Sequence, residues 1–221
     1  MTEFIRNLHK MPEEIPAPAA VLYNALPARL LKKPQKKLSK TITEQIKSGT
    51  IVDVGSGTGY LAIEIAKAAP SAKVWGIDLS KKMVEIARRH AGGLSNVRFE
   101  HENAMNLPFA ENSVDFIVST GSLHHWTHPV KIFDECLRVL KNGKEGWIFD
   151  GCSDFPKNQA DNLISEYGFL RYKILRFVLK FHGFSRSEYR TKVKSILDQT
   201  KFKDSYKMEL TDMFMKITVK K

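Results

Sequence analysis

Apolar residues in this chain come in short unbroken runs, set apart by stretches in which they recur at helical spacing. The runs fall near residues 50 to 55, 73 to 78, 97 to 102, 114 to 120 and 145 to 151. Runs of that length, rich in Val, Ile and Phe, predict strands buried on both faces. Between them, Leu61, Ile63, Ile65 and Ala66, the stretch Lys82 to His90, and Val130 to Leu140 predict helices. Strand alternating with helix implies an α/β fold with a doubly wound, mostly parallel sheet and right-handed crossovers. The tail breaks this rhythm. Ser205 to Glu209 and Met213 to Lys220 predict two strands around a Leu210-Thr211-Asp212 turn, an edge hairpin.

These elements predict one domain over residues 1 to 221. A helical N-terminal cap (1 to 49) precedes a core (50 to 152), followed by a helical insertion (153 to 202) and the hairpin (203 to 221). In the cap, Val21, Leu22, Tyr23, Leu26, Leu30 and Leu31 recur at helical spacing across Pro27, which predicts two short helices joined at the proline.

The first strand breaks into glycines at 55, 57 and 59 before the helix that starts at Tyr60-Leu61. Such a turn brings backbone close to a ligand and points free amides at it. A dinucleotide fingerprint would place Gly or Ala at position 60, where Tyr60 stands, and a P-loop would end in Gly-Lys-Ser/Thr, which is absent. The second strand closes on Asp78, 25 positions after Asp53. An acid there can accept hydrogen bonds from two ribose hydroxyls; its competing role is to cap the next helix, a task Ser80 is placed to take.

Four segments in order resemble the class I S-adenosylmethionine-dependent methyltransferases, in particular the small-molecule branch that includes the ubiquinone/menaquinone-type enzymes. They are Val52-Asp53-Val54-Gly55-Ser56-Gly57-Thr58-Gly59, Gly76-Ile77-Asp78-Leu79-Ser80, Asn103-Ala104-Met105-Asn106-Leu107-Pro108-Phe109, and Leu123-His124-His125-Trp126 with Leu137-Arg138-Val139-Leu140-Lys141-Asn142-Gly143. The resemblance covers roughly residues 48 to 151. It implies a seven-stranded sheet with an antiparallel last strand, S-adenosylmethionine as cofactor with S-adenosylhomocysteine as product, and no metal. Carried onto this chain, it implies a cofactor site of Asp53, Gly55, Ser56, Gly57, Gly59, Asp78, Leu79, Met83, Asn103, Ala104 and Thr120, with Tyr23 closing over it. Two positions depart from the family pattern. Asn103 replaces the usual acid that reads the adenine amino group, though its amide oxygen can still accept. Asn142-Gly143 replaces Pro-Gly in what is expected to be a turn.

Composition adds a division of labour. The chain has 221 residues, 43% of them hydrophobic, and a net charge of +11. Residues 1 to 49 carry +5, residues 50 to 150 carry −1 and residues 151 to 221 carry +7. A near-neutral core with basic additions points to an anionic substrate, to nucleic acid, to a membrane surface, or simply to a solvated basic face. Cys136 and Cys152 have no metal-ligand spacing and are expected to be small apolar fillers. No run reaches membrane-spanning length and Met1 to Lys10 is too charged for a signal peptide, which predicts a cytoplasmic protein.

In the insertion, Tyr167 to Phe184 can be drawn as one amphipathic helix with Arg171, Lys173, Arg176 and Lys180 among its apolar residues. It is open to three roles: a lid packed on the domain, a wall for a lipid-like substrate, or a helix lying on an anionic bilayer. His124, after the fourth strand, is the candidate general base. The function expected is methyl transfer to a small anionic or lipid-like acceptor. A tRNA or rRNA methyltransferase and a non-catalytic cofactor-binding regulator are the alternatives. Against the RNA enzyme, Ser119-Thr120-Gly121-Ser122 stands where base amino methylases carry an Asn/Asp-Pro-Pro-aromatic tetrapeptide.

Overall fold

A computed structural model describes residues 32–155, 157–181, 183–211 and 213–221. Tyr23, the proline-joined helices and most of the expected cap lie outside the described residues.

The strands are β1 (Ser48–Val54), β2 (Ser71–Asp78), β3 (Val97–His101), β4 (Val114–Thr120), β5 (Leu140–Cys152), β6 (Gly183–Phe184), β7 (Tyr206–Thr211) and β8 (Phe214–Lys220). The long helices are α1 (Lys32–Gln45), α2 (Tyr60–Ala68), α3 (Lys81–Ala91), α4 (Pro129–Val139), α5 (Lys157–Tyr167) and α6 (Phe169–Phe181). The sheet runs β3-β2-β1-β4-β5-β8-β7, with the two-residue β6 beside the end of β5. β1 to β5 are mutually parallel, while β8 lies antiparallel to both β5 and β7. This is the α/β sheet of seven strands with an antiparallel last strand that the family resemblance implies, with the short β6 added beside β5. The strand order reverses direction between β1 and β4, and ligands in open α/β sheets sit beyond the carboxyl ends of the strands at such a point.

Alternation along the central strands feeds two cores. Ile51 of β1 and Phe116 and Val118 of β4 face the layer containing Leu61, Ile65 and Val84. Val52 and Val54 of β1 and Val114 and Ile117 of β4 face the layer of Ile132, Phe133 and Val139. Burying each such side chain contributes about 1.5–3 kcal/mol, so a one-residue slip of β1 would forfeit several at once. Cys136 and Cys152 are fully buried free thiols within the second layer. Burial pushes the Cys136 thiol up to about 12, which leaves it protonated and inert.

Two expected boundaries differ. β5 starts at Leu140 rather than 145, and the Asn142-Gly143 turn falls inside it. Gly143 takes φ +74° and donates its amide to Lys221 O at 2.8 Å, so hairpin β8 extends the strand backward. The basic helix expected over Tyr167 to Phe184 is one helix, α6, shorter at both ends. Gly168 (φ +83°) separates α5 from α6, and α6 stops at Phe181 because Gly183-Phe184 pair with Gly151-Cys152. A Cβ at Gly183 would sit 2.6 Å from Gly151 O. α5, α6 and Met213 share a small third core of Ala160, Leu163, Tyr172, Leu175 and Leu179.

Candidate active site

The carboxyl ends of β1, β2, β4 and β5 converge on one crevice, built first by the glycine turn. The amides of Gly55 and Ser56 both donate to Ile77 O of β2, at 2.8 and 3.0 Å, which bends β1 sharply away from the sheet. All three glycines have positive φ: +72° at Gly55, +53° at Gly57 and +80° at Gly59. Their reasons differ. A Cβ at Gly55 would lie 2.6 Å from Ser122 Cβ, and one at Gly59 would lie 2.6 Å from Phe99 Cζ and 2.8 Å from Ala87 Cβ. At Gly57 a Cβ would meet nothing within 4 Å. Gly55 and Gly59 are thus demanded by the protein's own packing, and Gly57 by backbone conformation beside open space. Gly55→Val should therefore destabilise the fold by about 3 kcal/mol and Gly57→Ala by about 1 kcal/mol, read from denaturant midpoints.

Asp78 locks this turn. Its Oδ2 accepts the Gly57 amide at 2.8 Å and its Oδ1 accepts the Ser80 amide at 2.9 Å. Ser80 occupies the N-cap position of α3, but its hydroxyl makes no capping hydrogen bond, contrary to expectation. The loop after β3 is tied to the same place, since Glu102 donates its amide to Asp78 O at 3.2 Å and His101 Nε2 lies 2.8 Å from Leu79 O.

Asp53 is the least ordinary side chain in the crevice. It is 1% exposed, and among the described residues neither carboxylate oxygen has a side-chain or backbone partner at hydrogen-bond geometry. Burial, with the Asp78 charge adding to it, pushes its carboxyl up to about 7, an effect the Ala62 amide at the start of α2 only partly offsets. The neighbouring Ser56 Oγ is also buried and unpartnered among the described residues. A buried acceptor left this way fits a ligand that brings a cationic donor.

Asn103 follows Glu102 into the loop, where its Oδ1 accepts the Met105 amide at 2.9 Å. One lone pair is thus engaged in a local turn, while the Nδ2 group and the second lone pair remain in its hydrogen-bonding repertoire. The loop is clamped from α4. Arg138 donates to Phe109 O at 2.8 Å and Leu107 O at 3.0 Å, and Glu135 accepts the Leu107 amide at 3.0 Å while pairing with Arg138. Leu79 is partly exposed beside Asp78 and Ala104 partly buried beside Asn103. Met83 is fully buried on α3, so it supports the turn from the core. Thr120 ends β4 opposite Phe149 of β5, and the adjoining Ser119 and Ser122 hydroxyls lie 2.6 Å apart.

On the far side, His124 sits in a short helical turn, Leu123–His125, after β4. Its amide donates to Asp150 Oδ2 at 2.9 Å, and its Nδ1 lies 2.9 and 3.0 Å from the two Asp150 oxygens. Asp150, near the end of β5, is 2% exposed and also accepts the Gly151 amide at 2.7 Å. Burial pulls the His124 pKa down, but the charge and hydrogen bond of Asp150 outweigh it and raise it above the ordinary histidine value. Sequence reasoning missed Asp150. The available signal was an acid closing the apolar run Trp147-Ile148-Phe149, the same pattern that singled out Asp78.

Among the described residues, no group of three His, Cys, Asp or Glu side chains is placed to hold a metal ion, and no helix is long and apolar enough to cross a membrane. The sheet order, the glycine turn clamped by the acid of β2 and the loop after β3 define a class I S-adenosylmethionine-dependent methyltransferase fold. Residues 51–143 match the methyltransferase domain family. Over 100 residues the chain is 36% identical to a demethylmenaquinone methyltransferase of Staphylococcus aureus, a match covering 44% of this chain and 42% of that one. The chain therefore aligns with less than half the length of the curated relatives it matches. A candidate S-adenosyl-L-methionine-dependent methyltransferase of Methanococcus maripaludis superposes with TM-score 0.75 at 25% identity, covering 96% of this chain and 94% of that one. The fold is also that of the plantazolicin methyltransferase BpumL, solved with S-adenosylhomocysteine (TM-score 0.64, 14% identity, 100% and 99% covered). These likenesses give the chain a class I methyltransferase fold, and its matched segment is similar to the menaquinone-type enzymes.

Proposed function

We propose that this protein transfers a methyl group from S-adenosylmethionine to a small acceptor, with a lipid-like or anionic acceptor as the substrate class. The observation that carries this reading is Asp53: a buried carboxylate short of donors, beside the glycine turn, suits the ammonium of the cofactor's methionine portion. Gly57 leaves room for that portion, Asp78 would take the ribose hydroxyls while holding the Gly57 amide, and Asn103 with Ala104 would meet the adenine edge. When bound, S-adenosylmethionine supplies an activated methyl group whose transfer turns a charged sulfonium into a neutral thioether.

The protein's own part is alignment and proton management. Displacement at a methyl carbon is in line, so fixing acceptor and cofactor in one geometry can supply several kcal/mol of the barrier. An acceptor hydroxyl or acidic C–H must also lose a proton. Asp150 holds His124 through Nδ1 in one ring orientation and stabilises the imidazolium that would form, leaving Nε2 as the nitrogen that would receive the proton. The similarity to a demethylmenaquinone methyltransferase and the basic, partly apolar insertion next to β5 support a lipophilic acceptor.

The test is binding by calorimetry followed by transfer from radiolabelled S-adenosylmethionine to a panel of quinols, phenols, amines, thiols and RNA. Asp78→Ala should weaken S-adenosylmethionine binding about tenfold or more, because hydrogen bonds to a charged acceptor and the turn itself are lost together. His124→Ala should change that affinity by less than about threefold. Equal affinities for wild type and Asp78→Ala would remove Asp78 from the cofactor site. Transfer to RNA alone would replace the small acceptor.

A further inference from the structure

α6 has two faces of different character. Tyr172, Leu175 and Leu179 are buried in the third core. On the opposite side, Phe169 is 58%, Leu170 71% and Phe177 66% exposed. Just four large hydrophobic residues are exposed among those described, and three of them stand on this helix. At 3.6 residues per turn, Arg176, Phe169, Lys180, Lys173, Phe177 and Leu170 follow one another around an arc of about 120°. Phe169 lies among the cations and Phe177 and Leu170 at the other border of that arc, with Lys173 Nζ 4.6 Å from the centre of the Phe169 ring. α6 carries four basic residues, Arg171, Lys173, Arg176 and Lys180, and no acid.

We propose that this outer face of α6 docks the protein on an anionic phospholipid bilayer. Phe169 and Leu170 would enter the boundary between headgroups and acyl chains, while Lys173, Arg176 and Lys180 lie along lipid phosphates with their methylene stems beside the apolar groups. Charge complementarity selects this occupant. A second copy of the chain would set the same cations against each other with no acid on either helix to meet them. Nucleic acid would match the charge but gives Leu170, the more exposed of the two, nothing to contact. The location is also informative. Leu179 O lies 3.0 Å from where a Gly183 Cβ would be, Gly183 pairs with Gly151, and Gly151 follows the Asp150 that holds His124. The docking face thus belongs to a helix packed at the carboxyl end of β5, beside the candidate site, where a lipid-borne acceptor would have to arrive.

The proposal is independent of methyl transfer and is read without cofactor. The full chain is floated with vesicles of phosphatidylglycerol and phosphatidylcholine in equal parts, and with phosphatidylcholine alone, at 0.15 M salt. Binding should be about tenfold or more stronger on the anionic vesicles and fall as salt rises. The exposed-residue variants F169S/L170S and K173E/K180E should each reduce it about tenfold or more, with thermal midpoints unchanged. Failure to float with anionic vesicles overturns the proposal. So does undiminished binding by F169S/L170S, which would mean the basic surface as a whole does the work. A dimer dispersed by F169S/L170S, or RNA retention sensitive to K173E/K180E, in the absence of vesicle binding would assign the face to those partners instead.

Discussion

Asp53→Asn is expected to stabilise the unliganded protein at pH 8 by about 2 kcal/mol and to weaken S-adenosylmethionine binding about a hundredfold. The two effects share one cause. Burial and the Asp78 charge raise the Asp53 carboxyl from its ordinary 3.8 to about 7, so between those values the folded state holds a proton that the unfolded chain has released. Stability then falls as pH climbs through that window, because the group must ionise in a site that disfavours the charge. Above pH 7 the penalty is complete, about 4 kcal/mol at most for a shift of this size. Asparagine removes the ionisation but keeps an imperfectly satisfied amide, so only part is recovered. The same substitution deletes the negative partner for a ligand ammonium, and a buried charge pair broken from one side is costly. Urea melts of both proteins at pH 5 and pH 8 test the first half: the wild type should lose stability on going to pH 8 relative to the variant. Calorimetry in buffers of different ionisation enthalpy tests the second, since the wild type should release a proton on binding below pH 7 and the variant should not. A pH-independent stability difference would mean that Asp53 has found a donor and is not held in reserve for one.

This destabilising acid was visible in the sequence as a residue but not as a problem. Val52-Asp53-Val54 reads as a strand with one polar position, and the motif around it named the crevice. The cost became legible only when the fold placed the carboxylate at 1% exposure with Asp78 nearby. Local signals did well wherever turn chemistry and period agreed. The strand–turn–helix at 48 to 68, the strand ending in Asp78 and the tail strands now seen as β7 and β8 were all written in short-range patterns. They failed where a distant partner decides. Ser80 makes no capping hydrogen bond to α3, although it stands at the N-cap position. The insertion helix ends early, since Gly183 is drawn into pairing with Gly151, and the 189 to 193 segment winds as a π-helix that no spacing rule announces. The run Leu137-Arg138-Val139-Leu140-Lys141 carried no stated mechanism in the sequence. In the fold, Arg138 holds the carbonyls of Leu107 and Phe109, and Lys141 pairs with the Asp115 that accepts the Thr50 amide. Those contacts span 26 to 65 positions of chain, beyond any periodicity.

Asp150→Asn is expected to lower kcat by about 10²–10⁴-fold for an acceptor that must be deprotonated, with cofactor affinity changed little. Asp150 accepts three donors, the amides of His124 and Gly151 and His124 Nδ1, and asparagine offers one oxygen in their place. Its NH₂ group would face Nδ1 and favour the imidazole tautomer with the proton on Nε2, the wrong nitrogen to take one from a substrate. A purely structural hydrogen bond would give a loss of stability alone, so the pH profile decides between the roles. In the wild type, Asp150 raises the His124 pKa, and the base is lost as pH falls through that raised value. Without the carboxylate, burial is unopposed and the pKa drops, so the acid limb of the kcat profile should move to lower pH even as the plateau collapses. His124→Ala should remove that limb altogether, and the double variant should be no slower than the slower single one, because both substitutions disable one unit. If Asp150→Asn leaves the limb where it was, the proton is taken by another group, and the dyad serves only to fasten the end of β5 to the turn after β4.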